Sequence, residues 1–162
     1  MNHDYQIGNY LKTYRSFGLS VPERYNWAYE VFDKWGDNPS KIAMVWVADN
    51  GLSKKITFKH LGERSRRLAN GLIGLGVQPG DRVFVMLPRI VEWWEIILGC
   101  MRSLAVSVPG TTLLTPKDIA YRINISGAKI AITDSDNVDK LKGIQKECPS
   151  LKQIVVVGNT IG

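Results

Sequence analysis

The chain has only two histidines and two cysteines among its 162 residues, which limits its chemistry. His3 and His60 are far apart in sequence, and neither has metal-ligand spacing to Cys100 or Cys148. Two cysteines are also too few for a disulfide scaffold, so we expect small buried thiols in a reducing compartment. No GxSxG, HExxH or Ser/His/Asp order is present. We therefore assign neither a metal site nor a catalytic residue.

The sequence also lacks a long uninterrupted apolar run. The most hydrophobic window, residues 90–108, contains Glu92, Glu95 and Arg102, whose charges would be costly to bury in lipid. The first ten residues have no apolar core, which excludes a secretory signal peptide. These absences predict a cytoplasmic protein without a membrane span.

Positive charge is plentiful and gives a net charge of +6. Six cations concentrate in one stretch: Lys54, Lys55, Lys59, Arg64, Arg66 and Arg67. Such a cluster is compatible with a nucleic-acid face. However, the cations follow the polar side of an amphipathic helix, with Glu63 among them and no interleaved aromatic residues. We interpret them as a solvated helix face and expect no nucleic-acid partner.

Hydrophobic periodicity divides the first 57 residues into a helical lead-in, 1–40, and a β-hairpin, 41–57. Residues 5–18 are predicted to form a short helix. Ser20 to Glu23 resembles a capping box and predicts a second helix, with an apolar face that runs from Tyr25 to Trp35. An apolar strand at 42–48 is predicted to return through Asp49-Asn50-Gly51 to a partner at 55–57.

Residues 58–157 alternate between helical and strand patterns with short connections. Helices are predicted at 58–75, 92–103, 116–126 and 138–148, and strands at 82–87, 104–108, 129–133 and 153–157. This order predicts an α/β fold with a doubly wound, mostly parallel sheet and flanking helices. In the helix at 92–103, the polar positions form one narrow stripe, which consists of Glu92, Glu95, Gly99 and Arg102. The rest of its surface is apolar, so we expect that helix to be buried on most sides.

Pro109-Gly110-Thr111-Thr112 is the best candidate site from the residues alone. It follows a predicted parallel strand, and open α/β sheets bind ligands at the carboxyl ends of their strands. Glycine permits close backbone approach, and the two hydroxyls can donate and accept hydrogen bonds. The alternative is an ordinary βα turn in which Thr115 caps the next helix.

Two other motifs do not indicate a site. The glycines between Gly71 and Gly80 end a helix and precede a strand, whereas a dinucleotide fingerprint follows a strand and opens a helix. The aspartates between Asp134 and Asp139 lack the glycine and the final glutamate of a calcium loop, so we interpret them as a helix cap.

Several segments resemble the AMP-forming acyl-CoA synthetases, closest to the medium-chain fatty acid and acetyl-CoA synthetase branch. They are GVQPGDRVFVMLPR, EWW, LGCMRS, PGTTLLTPKDIAYRI and AKIAITD. The resemblance covers nearly the whole chain and implies the N-terminal part, 1–162, of the large adenylate-forming domain. Members of this family form an acyl-adenylate from a carboxylic acid and ATP, with magnesium, and transfer the acyl group to coenzyme A.

The resemblance also implies which residues contact a ligand. Gly110, Thr111, Thr112 and Leu113 match the segment that lines the coenzyme A nucleotide site in acetyl-type relatives. Residues 136–142 match a segment that offers basic residues to the nucleotide phosphates, which here are Lys140 and Lys142. The family's glycine-rich phosphate loop, adenine motif and C-terminal catalytic domain have no counterpart in the sequence.

Two hypotheses follow. The chain is either a fragment of an acyl-CoA synthetase, inactive by itself, or a free-standing α/β module with a binding or scaffolding role. The sequence ends directly after a strand, which favours the fragment. Because a partial fold leaves apolar surface open, we also expect the chain to self-associate.

Overall fold

The computed structural model describes residues 7–20 and 22–158, which form two sheets and their flanking helices. The helices are α1 Ile7–Ser16, a π-helical turn Ala28–Phe32 that continues into α2 Asp33–Trp35, α3 Phe58–Gly74, α4 Val91–Arg102, α5 Pro116–Ser126 and α6 Val138–Ile144, followed by a 3-10 turn Gln145–Glu147. The strands are β1 Ile42–Val47, β2 Ser53–Thr57, β3 Arg82–Met86, β4 Val106–Gly110, β5 Ile130–Asp134 and β6 Gln153–Val157. The predicted order of elements from β1 onward is confirmed.

The larger sheet has four parallel strands in the order β4-β3-β5-β6, and β1 and β2 form a separate antiparallel hairpin. Along β3, Phe84 and Met86 point to one face of the sheet, where they pack with α5 and α6. Val83 and Val85 point to the other face, where they pack with α3 and α4. Both faces are therefore covered by helices, and the predicted doubly wound α/β fold is confirmed.

Local capping signals explain several element ends. Thr115 and Asp118 form a reciprocal capping box at the start of α5, and Gly127 ends that helix with a φ of 64°. Gly76 has a φ of 85° after α3. Both glycines occupy a left-handed conformation that other residues adopt only with strain.

The predicted start of the second helix is wrong. Ser20, Pro22 and Glu23 lie outside any helix, and Val21 lies outside the described residues. The helical turn is capped instead by Asn26, whose side-chain oxygen accepts a hydrogen bond from the Ala28 amide at 3.0 Å. Asn26 acts as the cap because its amide oxygen accepts from a backbone amide in the first turn of the helix.

The polar stripe of α4 packs against α3, and part of the apolar side of the helix is exposed. Glu95 and Arg102 are buried, whereas Trp94 is 52% exposed and Met101 is 43% exposed. The stripe faces α3, and a Cβ atom added at Gly99 would lie 2.6 Å from Cδ2 of Leu68. Glycine lets the two helices approach closely, and charged groups on neighbouring elements pair with the buried charges.

Those charges form a network between α2, α3 and α4. The Arg102 guanidinium is fully buried and donates to both Asp33 carboxylate oxygens, at 2.6 and 3.0 Å, and to Ser65 Oγ at 2.9 Å. Arg66 lies 2.9 Å from the same carboxylate, and Arg64 pairs with Glu95. Burial alone would raise the pKa of Asp33, but Arg102 and Arg66 outweigh it and hold that pKa below its usual value. Part of the predicted solvated face is thus engaged in ion pairs.

Cys100 and Cys148 are buried free thiols, as predicted. Desolvation raises the pKa of Cys100 to about 12, and burial also raises the pKa of Cys148. Both thiols therefore stay protonated and contribute as small apolar groups. Among the described residues no helix has the length and apolarity needed to cross a membrane.

Candidate functional site

The carboxyl ends of the four parallel strands form one edge of the larger sheet. The strands end at Met86, Gly110, Asp134 and Val157. The chain leaves β3 toward β4 and leaves β5 toward β6, in opposite directions, so the topological switch point lies between β3 and β5. Doubly wound sheets bind ligands at this edge, and the predicted turn after β4 reaches it.

The structure places Pro109 and Gly110 in strand β4, where they pair with Val85 and Met86. Their assignment to the turn is therefore wrong. Pro109 is tolerated because β4 is an edge strand and needs no amide on its outer side. Gly110 is required by packing, since a Cβ atom there would lie 2.8 Å from Cζ of Phe84.

The turn itself comprises Thr111, Thr112 and Leu113. Thr111 accepts hydrogen bonds from the Leu113 amide at its Oγ1, at 3.3 Å, and from the Leu114 amide at its carbonyl, at 3.2 Å. Thr115 then caps α5, as the ordinary-turn alternative predicts. Leu113 is 87% exposed, so the turn offers one apolar surface beside two hydroxyl groups.

The lysine that reaches this turn is Lys140. Its ammonium donates to the Thr112 carbonyl at 2.7 Å, which joins α6 to the turn after β4. Lys142 instead lies on an exposed part of α6, with its ammonium 3.4 Å from Asp139. Spacing along the sequence cannot distinguish the two lysines, because the contact depends on the strand order between β4 and β5.

The acidic residue that ends β5 stabilises the turn that follows it. Asp134 accepts hydrogen bonds from the Asn137 amide at 3.0 Å and from its side chain at 2.8 Å. In residues 7–20 and 22–158 no three His, Cys, Asp or Glu side chains are grouped closely enough to hold a metal ion. Asp134 therefore holds the turn before α6, and the predicted helix cap is not formed, because the N-terminus of α6 has no side-chain cap.

A second concave surface lies next to the loop after β3. It is an open cavity of about 740 Å³ between the β1-β2 hairpin, that loop and α4. We call it the apolar groove; four tryptophans line it, Trp27, Trp46, Trp93 and Trp94. Its floor includes Leu87 at the end of β3, and the Trp46 indole donates to the Arg89 carbonyl at 2.8 Å.

Comparison with known proteins gives a consistent result. Residues 31–161 match the family of AMP-binding enzymes. The chain is 42% identical over 147 residues to human acyl-coenzyme A synthetase ACSM5, mitochondrial, covering 86% of this chain and 25% of that protein. It is 37% identical over 158 residues to human acyl-coenzyme A synthetase ACSM3, mitochondrial, covering 93% of this chain and 27% of that protein.

Solved structures show the same fold. The crystal structure of an acyl-CoA synthetase from Brucella canis has a TM-score of 0.77 and 26% identity, covering 94% of this chain and 28% of that chain. The anthranilate CoA ligase AuaEII, in complex with anthranoyl-AMP, has a TM-score of 0.72 and 24% identity, covering 88% of this chain and 27% of that chain. The fold is thus a part of the acyl-CoA ligase fold.

The chain belongs to the AMP-binding enzyme family, as the resemblance in sequence predicted. It spans about a quarter of the length of the curated relatives it matches. The prediction of a cytoplasmic protein is contradicted, because these relatives are mitochondrial enzymes by name. The absence of an apolar core excludes only a secretory signal, because mitochondrial targeting segments also lack such a core.

Proposed function

We propose that these residues are the N-terminal portion of an ATP-dependent acid–CoA ligase that activates medium-chain fatty acids. The observation that carries this proposal is 37–42% identity to acyl-coenzyme A synthetases over most of the chain. In such a ligase ATP with magnesium converts the acid into an acyl-adenylate, which supplies the leaving group that a carboxylate lacks. Residues 1–162 then belong to the large adenylate-forming domain, with a helical lead-in, a hairpin and the parallel sheet.

The longer protein that carries these residues should release pyrophosphate from ATP when given hexanoate and coenzyme A. Acetate and short branched acids should be poorer substrates. The 162-residue polypeptide alone should stay at background, because its sequence holds no glycine-rich phosphate loop with a lysine. Acid-dependent ATP–pyrophosphate exchange by that polypeptide would contradict its inactivity, and a longer protein that forms only aminoacyl or aryl adenylates would contradict the substrate class.

We further propose that the carboxyl edge of the sheet contacts the nucleotide of coenzyme A. Gly110 ends strand β4 directly before the turn, Thr111 and Thr112 present hydroxyls, and Leu113 offers an exposed apolar surface for a base. Lys142 adds an exposed ammonium for a phosphate. Lys140 holds the turn through the Thr112 carbonyl, so its role is to position the turn.

Coenzyme A added to the isotope-labelled polypeptide should shift the amide resonances of Thr111 to Leu113. Lys142→Ala should weaken binding about two- to fivefold, the range of an exposed charge contact. Lys146→Ala is the matched control, because this exposed lysine lies in the 3-10 turn after α6, at the opposite edge of the sheet. Unchanged turn resonances, or equal losses in the two variants, would contradict the site.

We also propose that the chain by itself forms homodimers or higher oligomers. Several large apolar side chains around the apolar groove are exposed, among them Val45, Trp94 and Met101. Contiguous apolar surface of this kind is rare on monomeric proteins and favours association.

A further inference from the structure

The turn after β4 is tied to α6 by a single side chain in the described part of the structure. The turn's own hydrogen bonds are local and run from the Leu113 and Leu114 amides to Thr111. In residues 7–20 and 22–158, the only side-chain hydrogen bond that reaches this turn from another element joins the Lys140 ammonium to the Thr112 carbonyl, at 2.7 Å. The position of the turn against α6 therefore depends on Lys140.

The backbone that carries Lys140 is itself held in place. Asp134, at the end of β5, accepts a hydrogen bond from the Asn137 amide at 3.0 Å and so fixes the turn before α6. Leu141, the residue after Lys140, is fully buried in the core that α5 and α6 form on one face of the sheet. The Lys140 side chain is half-buried. An ammonium on such a fixed support can hold the turn across the intervening strand β3.

The contact uses only the backbone of the turn. Lys140 binds the Thr112 carbonyl, so it engages neither the threonine hydroxyls nor the Leu113 side chain. Those are the groups proposed above to meet the nucleotide. Lys140 therefore supports the ligand-facing groups of the turn without being one of them.

Resting on the proposed contact with coenzyme A, we infer that Lys140 is a positioning residue for the thioester-forming step of the ligase and has no part in adenylation. Adenylation consumes the acid and ATP before coenzyme A reacts, so a turn that meets only coenzyme A does not act on it. In the second step the thiol sulfur of coenzyme A bonds to the acyl carbon. The bond from that carbon to the phosphate oxygen of AMP breaks, AMP leaves, and the thiol proton passes to solvent. Lys140 serves this step by holding the turn that orients the nucleotide of coenzyme A.

Steady-state kinetics of the longer protein tests the assignment with Lys140→Met, which keeps an unbranched side chain and removes the donor. The KM for coenzyme A should rise about tenfold, as expected for one lost hydrogen bond from a charged group, with kcat nearly unchanged. ATP–pyrophosphate exchange, which needs no coenzyme A, should keep its original rate. Lys140→Arg keeps a charged donor and should restore most of the affinity for coenzyme A.

Lys152→Met is the matched control. The Lys152 ammonium also donates to a backbone carbonyl, that of Pro149, at 3.0 Å, but it does so just before β6, at the opposite edge of the sheet. This variant should leave the KM for coenzyme A unchanged.

The dependence on salt separates positioning from direct phosphate binding. The Lys140 contact lies within the protein, so the rise in KM should be the same at low and high ionic strength. A rise that shrinks with added salt would show that Lys140 pairs with a phosphate of coenzyme A, and it would overturn the assignment.

Three further outcomes would overturn it: slower pyrophosphate exchange in Lys140→Met, an unchanged KM for coenzyme A, or an equal effect in Lys152→Met. Lys142→Ala reports separately on the proposed contact. If Lys142→Ala raises the KM for coenzyme A and Lys140→Met does not, the contact stands and the role of Lys140 fails. If neither variant changes that KM, or if the longer protein forms no acyl-CoA, both proposals fail.

Discussion

Replacing Asp33 with alanine should lower the free energy of unfolding by about 3 kcal/mol. The substitution leaves the Arg102 guanidinium buried with no carboxylate partner, and an uncompensated buried charge is strongly destabilising. We expect the lower end of the usual range because the Asp33 side chain itself remains 26% exposed. Urea denaturation followed by far-ultraviolet circular dichroism measures the loss.

A control variant and the pH dependence separate the loss of this ion pair from the loss of any surface charge. Asp37→Ala removes an exposed carboxylate one turn along the chain and should change the free energy of unfolding by less than about 0.5 kcal/mol.

The pH dependence of stability tests the same ion pair. The pKa of Asp33 is lowered in the folded chain, so the contribution of its carboxylate to stability is present above the unfolded pKa near 3.9. The difference between the original chain and Asp33→Ala should therefore stay constant down to about pH 4 and shrink below it. A difference that grows in acid would contradict the ion pair.

Replacing Phe84 with alanine should cost about 3–5 kcal/mol, because it opens a cavity in the middle of the sheet. Phe84 is fully buried in β3, the second strand of the four, and packs with α5 and α6. The thermal midpoint should fall by roughly 10 °C. Phe84→Leu, which keeps most of the volume, should cost clearly less, and an equal loss in both variants would contradict the cavity explanation.

The same ring connects the core to the candidate site. Gly110→Ala should destabilise the chain by about 1–3 kcal/mol, since its Cβ atom would lie 2.8 Å from Phe84 Cζ and 2.9 Å from Leu114 Cδ1. In the Phe84→Ala background the first of these clashes is gone, so Gly110→Ala should cost less there. Additive costs in the double variant would show that the two residues do not touch.

The arrangement of strands and helices from β1 to β6 could be predicted from the sequence because its signals are local. Thr115 and Asp118 form their capping box within one turn, and Gly127 ends the same helix through its own backbone conformation. Strand Gln153–Val157 has the predicted bounds because a continuous apolar run of that length is typical of a parallel strand.

The features that the sequence did not reveal depend on partners far along the chain. The pattern of α4 marks Arg102 as part of a polar stripe, but it does not reveal that Asp33, 69 residues earlier, neutralises this side chain. Lys140 could not be distinguished from Lys142 because its partner, Thr112, is reached only through the β4-β3-β5 arrangement. Helix periodicity identifies a distinct face but does not say what packs against it.

The position of the tryptophans gives the chain an intrinsic optical reporter. Four of its five indoles line the apolar groove, and the fifth, Trp35, packs against Phe58. Ultraviolet-excited emission therefore comes mainly from one surface. Covering that surface would move the emission maximum to shorter wavelength without any label, whereas events at the carboxyl edge of the sheet would leave the spectrum nearly unchanged.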